Sequence, residues 1–211
     1  MSLKMVFFDF NGTIANTENA TVEVYNKLQK KYKLNFISPE QIMILKSRSP
    51  IYYAWKLGMR PWNYHKIKAD SSLIVSSLIA QAVPYKELKE SLAKLVDKGI
   101  KLSIISANNY DDISNFIQKH QLNYFTEIHA GITLNKKHKT IKKILSSHRL
   151  LKSETLFIGD EVRDYESSQK AGVPFLYARW GLNTVEEKIK NVNTFDLNSP
   201  SDLVTLLENN L

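Results

Sequence analysis

Three short apolar runs constrain this chain more than any other feature. They are MVFFDF at 5–10, IKLSII at 100–105 and TLFI at 155–158. Runs this short, rich in β-branched and aromatic residues, suit strands buried on both faces. The second and third each follow a helical pattern. Over 85–98, Leu88, Leu92, Leu95 and Val96 fall on one helix face, and Gly99 stands where a C-terminal cap belongs. Over 109–120 the apolar set is Ile113, Phe116 and Ile117, with Asp111 and Asp112 in the first turn, where the helix dipole favours them. Over 139–149 it is Ile141, Ile144 and Leu145. Strands alternating with helices predict an α/β fold built on a parallel sheet.

Residues 16–80 break this rhythm. VEVYNKLQKKY, PEQIMILKS and SLIVSSLIAQ read as helices, separated by turns near Pro39, Pro50 and Pro61. No buried strand is evident among them. The expectation is an all-helical insertion after the first strand, over residues 15–81, with 1–14 and 82–211 forming the α/β core. Residues 15–80 carry 10 Lys/Arg and 4 Asp/Glu, while the rest of the chain holds 19 and 17. The net charge of +8 is therefore concentrated in the insertion. Such an excess suits an anionic partner or a solvated lysine-rich surface.

Composition narrows the function classes. At 43% hydrophobic and 24% charged residues, the chain is an ordinary folded protein. No apolar run approaches the roughly 18–20 residues that span a bilayer. The start, MSLK, has no signal-peptide pattern, and a cytoplasmic location is expected. The absence of cysteine excludes disulfides, thiol catalysis and thiolate metal sites.

Ligands of open α/β sheets bind beyond the carboxyl ends of the strands. There the first strand delivers Asp9, the second Ser106 and the third Asp160, with Asp164 one helical turn further on. A lysine cluster, KKHK, opens the helix before the third strand and ends at Lys139. Taken singly, these are ordinary turn, cap and surface residues. Together they present carboxylates, a hydroxyl and an ammonium to one rim.

This ordered set resembles the haloacid dehalogenase superfamily of aspartate-nucleophile phosphatases. The resemblance rests on DFNGT at 9–13, Ser106, Lys139 and GDEVRD at 159–164, and it covers essentially the whole chain. GDEVRDYESSQKAGV looks like members of the phosphoglycolate-phosphatase type. The resemblance implies a Rossmann-like parallel sheet flanked by helices, with residues 15–81 as a helical cap. It implies Mg²⁺ held by Asp9, the backbone carbonyl of Asn11 and Asp160, with Asp164, and more weakly Glu161, ordering the metal's surroundings. Ser106, the amide of Ala107 and Lys139 would hold the phosphoryl group of a small phosphorylated substrate, with Lys137 as the alternative if the helix register is shifted. Asp9 would be the nucleophile.

Asn11 departs from the pattern, because the family usually has an aspartate there that protonates the leaving alcohol. An amide cannot exchange that proton, and such help is typically worth about 10²–10⁴ in rate. A slow phosphatase, a substrate with a good leaving group, or an acid from the cap (Glu18 or His65) would each accommodate it. The alternative is a catalytically weak protein of the same fold that binds a phosphorylated ligand or nucleic acid through its basic cap. The stretch 47–66 also gathers Arg48, Tyr52, Tyr53, Trp55, Arg60, Trp62, Tyr64 and His65. At least half of its aromatics are expected to pack the cap's own interior.

Overall fold

The computed structural model describes residues 3–17, 20–39, 41–42, 50–133, 136–181 and 195–210. Six strands form one sheet: β1 (Met5–Phe8), β2 (Lys101–Ile105), β3 (Phe125–His129), β4 (Thr155–Gly159), β5 (Phe175–Ala178) and β6 (Phe195–Leu197). Their spatial order is β3-β2-β1-β4-β5-β6, and every pairing is parallel. The described helices are α1 (Ala20–Tyr32), α2 (Pro50–Lys56), α3 (Tyr64–Gln81), α4 (Leu88–Asp97), α5 (Tyr110–Lys119), α6 (Lys137–Ser147), α7 (Val162–Ala171) and α8 (Pro200–Asn210). This is the parallel α/β sheet that alternating strands and helices predict, with the Rossmann-like architecture that the resemblance implies. None of the described helices is long and apolar enough to cross a membrane.

β1 lies mid-sheet, paired with β2 on one side and β4 on the other, and all four of its residues are buried. Alternate side chains of a strand face opposite sides. Met5 and Phe7 join Phe157, Phe175 and Tyr177 in one cluster, sealed by Ile141, Ile144 and Leu145 of α6 and by Val162 and Ala171 of α7. Each large side chain buried this way contributes about 1.5–3 kcal/mol. The chain runs outward from β1 to β2 and β3, then returns to β4 beside β1. Neighbouring strands with connections leaving in opposite directions open a crevice at their carboxyl ends.

Several expectations shift in detail. The first strand stops at Phe8, so Asp9 and Phe10 lie in the loop that follows. Val96, expected on the buried face of α4, is 40% exposed, while Leu88, Leu92 and Leu95 are buried. The helix expected from 139 starts at Lys137. Strands β3, β5 and β6 have no counterpart among the three apolar runs. β3 reads FTEIH and is only partly buried at the sheet edge, and β6 is three residues long.

Glu127 of β3 accepts hydrogen bonds from the rings of His129 and His148. Burial alone would raise its carboxyl, but those two contacts outweigh it and hold the group below the ordinary 4.5. A carboxylate with a depressed pKa stabilises the fold above its unfolded value, and that contribution fades as pH falls through the folded value. Glu127→Gln is therefore expected to lower the thermal midpoint near pH 7. The deficit should shrink below about pH 4.5, as melts over a pH series will record.

The chain divides into two compact units, Met1–Asn16 with Val83–Leu211, and Thr17–Ala82. Among the described residues the second unit contains helices and no strand. Its interior is Tyr25, Leu28, Leu34, Ile37, Ile42, Leu57 and Ile67. The Tyr25 hydroxyl donates to the Asn35 carbonyl at 2.7 Å and accepts from the Ile37 amide at 2.8 Å, which ties the chain after α1 to that helix. Tyr53 packs on this interior. Tyr52, Trp55, Trp62 and Tyr64 do not: they are 43%, 70%, 70% and 45% exposed. This corrects the expectation that at least half of these aromatics fill the helical core, which Tyr25 and aliphatic side chains mainly occupy. Arg60 lies over the Trp62 ring, and His65 is exposed. Arg48 and Glu18 fall outside the described residues.

Candidate active site

Asp9 sits one residue past β1, and its amide donates to the Ile158 carbonyl at 2.9 Å, prolonging the pairing with β4. The loop then turns tightly, with Ile14 and Ala15 amides both donating to the Phe10 carbonyl. Gly12 stands at the turn with φ +77°, a conformation L side chains rarely adopt. A Cβ on Gly12 would lie 2.2 Å from Asp160 Oδ2, so only glycine lets the two loops meet. Thr13 Oγ1 donates to Asp160 Oδ1 at 3.0 Å, and Trp180 Nε1 donates to the Thr13 carbonyl at 3.1 Å.

Asp160 follows β4 directly, and Asp164 lies in the first turn of α7. A Cβ on Gly159 would come 2.6 Å from Asp164 Oδ2. The carboxylates of Asp9, Asp160 and Asp164 place one oxygen each within 4.8 Å of one another, and all three residues are buried. Three buried like charges this close are costly without a cation. One is supplied by the chain: Lys137 Nζ donates to Asp9 Oδ1 and to Asp164 Oδ1, both at 2.7 Å. Burial would drag the Lys137 ammonium down, but the Asp164 and Asp9 carboxylates outweigh it and hold its pKa above the usual lysine range. Burial, and then the Asp9 charge, push the Asp164 carboxyl well above the usual range despite the Lys137 ammonium.

The lysine at the carboxylates is Lys137, not Lys139. Lys137 is the first residue of α6 and is 3% exposed, whereas Lys139, two residues on, points to solvent. A two-residue step turns a helix by about 200°, so the earlier start of α6 decides which lysine faces inward. Glu161, the weaker acidic candidate, is engaged by the Arg163 guanidinium at 2.8 Å.

Ser106 follows β2 and is 1% exposed. Its amide donates to the His129 carbonyl and its carbonyl accepts from the Ile132 amide, both at 2.9 Å. Its hydroxyl oxygen accepts from the Asn108 amide at 3.2 Å, and among the described residues its proton has no acceptor. Ala107 is exposed at the tip of this loop. Asn11 is half-buried and meets Asn108 through two hydrogen bonds: Asn11 Nδ2 to Asn108 Oδ1 at 3.2 Å, and Asn108 Nδ2 to Asn11 Oδ1 at 3.0 Å. Asn108 is not among the residues that sequence reasoning singles out. Its one signal is position, an amide two residues beyond Ser106 as Asn11 is two beyond Asp9.

The rim thus joins an ammonium, three carboxylates, a hydroxyl and two amides at the carboxyl ends of β1, β2 and β4. The donor set is all hard oxygen, which suits Mg²⁺ or a similar hard cation rather than a metal that prefers thiolate or imidazole.

The chain is similar to known proteins over nearly its full length. A phosphoglycolate phosphatase of Synechococcus elongatus is 21% identical over 203 residues, covering 96% of each chain. The pyrophosphatase PpaX of Listeria welshimeri is 22% identical over 217 residues, covering 96% of this chain and 95% of that one. A haloacid dehalogenase-like family hydrolase from Streptococcus pneumoniae has the same fold, with a TM-score of 0.82 at 14% identity over 97% of this chain and 98% of that one. The family model of the haloacid dehalogenase-like hydrolases matches residues 6–178, and with that match spanning most of the sequence the chain belongs to this family.

Proposed function

We propose that this protein is a Mg²⁺-dependent phosphatase of small phosphorylated substrates that works through an aspartyl-phosphate on Asp9. The observation that carries the reading is the buried trio Asp9, Asp160 and Asp164 with Lys137 set between two of them. Its relatives include a phosphoglycolate phosphatase and a pyrophosphatase, which supports small phosphorylated substrates. A protein that only captured phosphate would gain nothing from burying three carboxylates where an anion must sit. This weighs against a purely binding role through the basic helical unit.

Lys137 holds Asp9 Oδ1, and Oδ2 has no hydrogen-bond partner among the described residues. That oxygen is free to attack phosphorus. A new O–P bond forms to Asp9, and the bond from phosphorus to the leaving oxygen breaks. Water then attacks the aspartyl-phosphate, releasing phosphate and restoring the carboxylate. The Ser106 hydroxyl, the Ala107 amide and the Lys137 ammonium receive the phosphoryl oxygens. Asp9, Asp160 and the carbonyl of Asn11 would hold Mg²⁺, with Asp164 beside them. Bound there, the cation supplies the charge neutralisation that lets a carboxylate approach a phosphate. The helical unit Thr17–Ala82 serves as the cap expected over residues 15–81, and the protein works in the cytoplasm.

Asn11 has no proton to give, so turnover of alkyl phosphates is expected to be slow. Two measurements test the proposal. Phosphate release from an aryl phosphate should require Mg²⁺ and stop with a chelator. Mg²⁺ at about 100 times its Kd should also stabilise the fold by about 2.7 kcal/mol, read as a raised thermal midpoint. Equal phosphate release with and without Mg²⁺ would sink the metal assignment.

A further inference from the structure

Asn11 and Asn108 form a closed pair of amides, and the pairing is specific to two amides. Each carbonyl oxygen faces the other's N–H, at 3.2 and 3.0 Å. Asn11→Asp would set oxygen against oxygen at one of these contacts. Asn108 is itself held at two further points. Its backbone amide donates to Ser106 Oγ at 3.2 Å, and its carbonyl accepts from the Gly131 amide at 2.7 Å. One residue therefore ties the loop after Asp9 to the loop that carries Ser106.

A primary amide has two N–H donors and one carbonyl oxygen. The pair uses one N–H and the oxygen of each partner. The other N–H on each side chain has no partner among the described residues, and both residues are half-buried at the rim. The rim beside the nucleophile thus offers hydrogen-bond donors that cannot surrender a proton. They stabilise negative charge that gathers on a departing oxygen, but they do not neutralise it.

Building on the phosphatase reading, we infer that Asn108 is a positioning residue that fixes Asn11, and that the pair selects substrates whose departing oxygen leaves as an anion. These are phosphoric anhydrides, such as diphosphates and acyl phosphates, and phosphate esters of acidic phenols. The transfer balances without an acid. An Asp9 oxygen bonds to phosphorus, the bridging P–O bond breaks, and its electron pair departs on the bridging oxygen. Water later cleaves the aspartyl-phosphate and gives its proton to solvent.

The test is a leaving-group series. kcat/KM is measured with Mg²⁺ for aryl phosphates of graded phenol acidity, for acetyl phosphate and for an alkyl phosphate. The wild-type rate is expected to fall roughly tenfold per unit of leaving-group pKa, with acetyl phosphate among the best substrates and the alkyl phosphate among the worst. Asn108→Ala should lower kcat about 10–100-fold with KM little changed, and should steepen the leaving-group dependence. In the Asn11→Ala background, Asn108→Ala should add little, because the two act as a unit. A wild-type dependence under about twofold per unit, with Asp9→Asn inactive, would overturn the inference while leaving the active site where it is. An Asn108→Ala protein with unchanged kcat and unchanged dependence would overturn the positioning role. If Asp9→Asn turns over as the wild type does, the phosphatase reading itself fails. The wild-type series needs no variant, so the substrate class is decided even if Asn108→Ala does not fold.

Discussion

Asp9→Asn is expected to cut phosphate release by at least about 10³-fold while leaving the metal-free fold as stable as before or more so. The substitution removes one charge and keeps nearly the same shape. The new amide still has an oxygen that can accept from Lys137, but it is a poor nucleophile toward phosphorus. On the stability side, the Asp9 charge is one of the causes that push the Asp164 carboxyl upward. Deleting it relieves repulsion inside a buried cluster. Loss of activity with a steady or raised thermal midpoint is thus the signature of a residue that serves chemistry at the expense of folding. A variant that keeps more than about a tenth of wild-type turnover would remove Asp9 from the mechanism. A sharply lowered midpoint would mean that the carboxylate serves mainly to pair Lys137.

Lys137→Met should be the most destabilising of the charge deletions, and Lys139→Met should be nearly silent. Lys137 Nζ is the ammonium at 2.7 Å from both Asp9 and Asp164. Removing one partner of a buried pair strands the other, typically at about 3–5 kcal/mol. In a chain of this size that is a fall of roughly 10 °C in thermal midpoint. The Lys137 pKa lies above its ordinary 10.5, so its stabilisation is fully present at neutral pH and is lost only in strong alkali. The deficit of the variant should narrow in acid. The raised Asp164 carboxyl takes up a proton as pH falls, which removes charge that Lys137 no longer balances. Lys139 is exposed, and its replacement should stay within about 0.5 kcal/mol of wild type. Differential scanning calorimetry of both variants at neutral and acidic pH is the measurement. Equal midpoints for the two would return the phosphate-facing role to an open choice between the lysines.

The residues that mattered to this site were legible to different degrees. Asp9, Ser106 and Asp160 stand at the ends of apolar runs, and a buried parallel strand writes itself into sequence as such a run. That Gly12 of FNGT lets two loops come close became visible only in the structure. Lys137 was harder, because five lysines crowd into 136–143 and local sequence does not say where a helix begins. A start two residues earlier changed which ammonium was buried. Asn108 left almost no trace: its role lies in a contact with a residue 97 positions away. The edge strands β3 and β6 were also missed, since a short, partly polar strand pairs through its backbone and carries little side-chain pattern.

By itself, the order of residues determined the α/β class, the carboxylates at the strand ends and the amide that replaces an acid at position 11. These are properties of local pattern and chemical identity, which the chain carries before it folds. Only the tertiary structure decided that Lys137 neutralises the acidic trio and that Asn11 is held by Asn108. Both depend on helix phase and on loops far apart in sequence meeting at one end of the sheet, and packing sets that register.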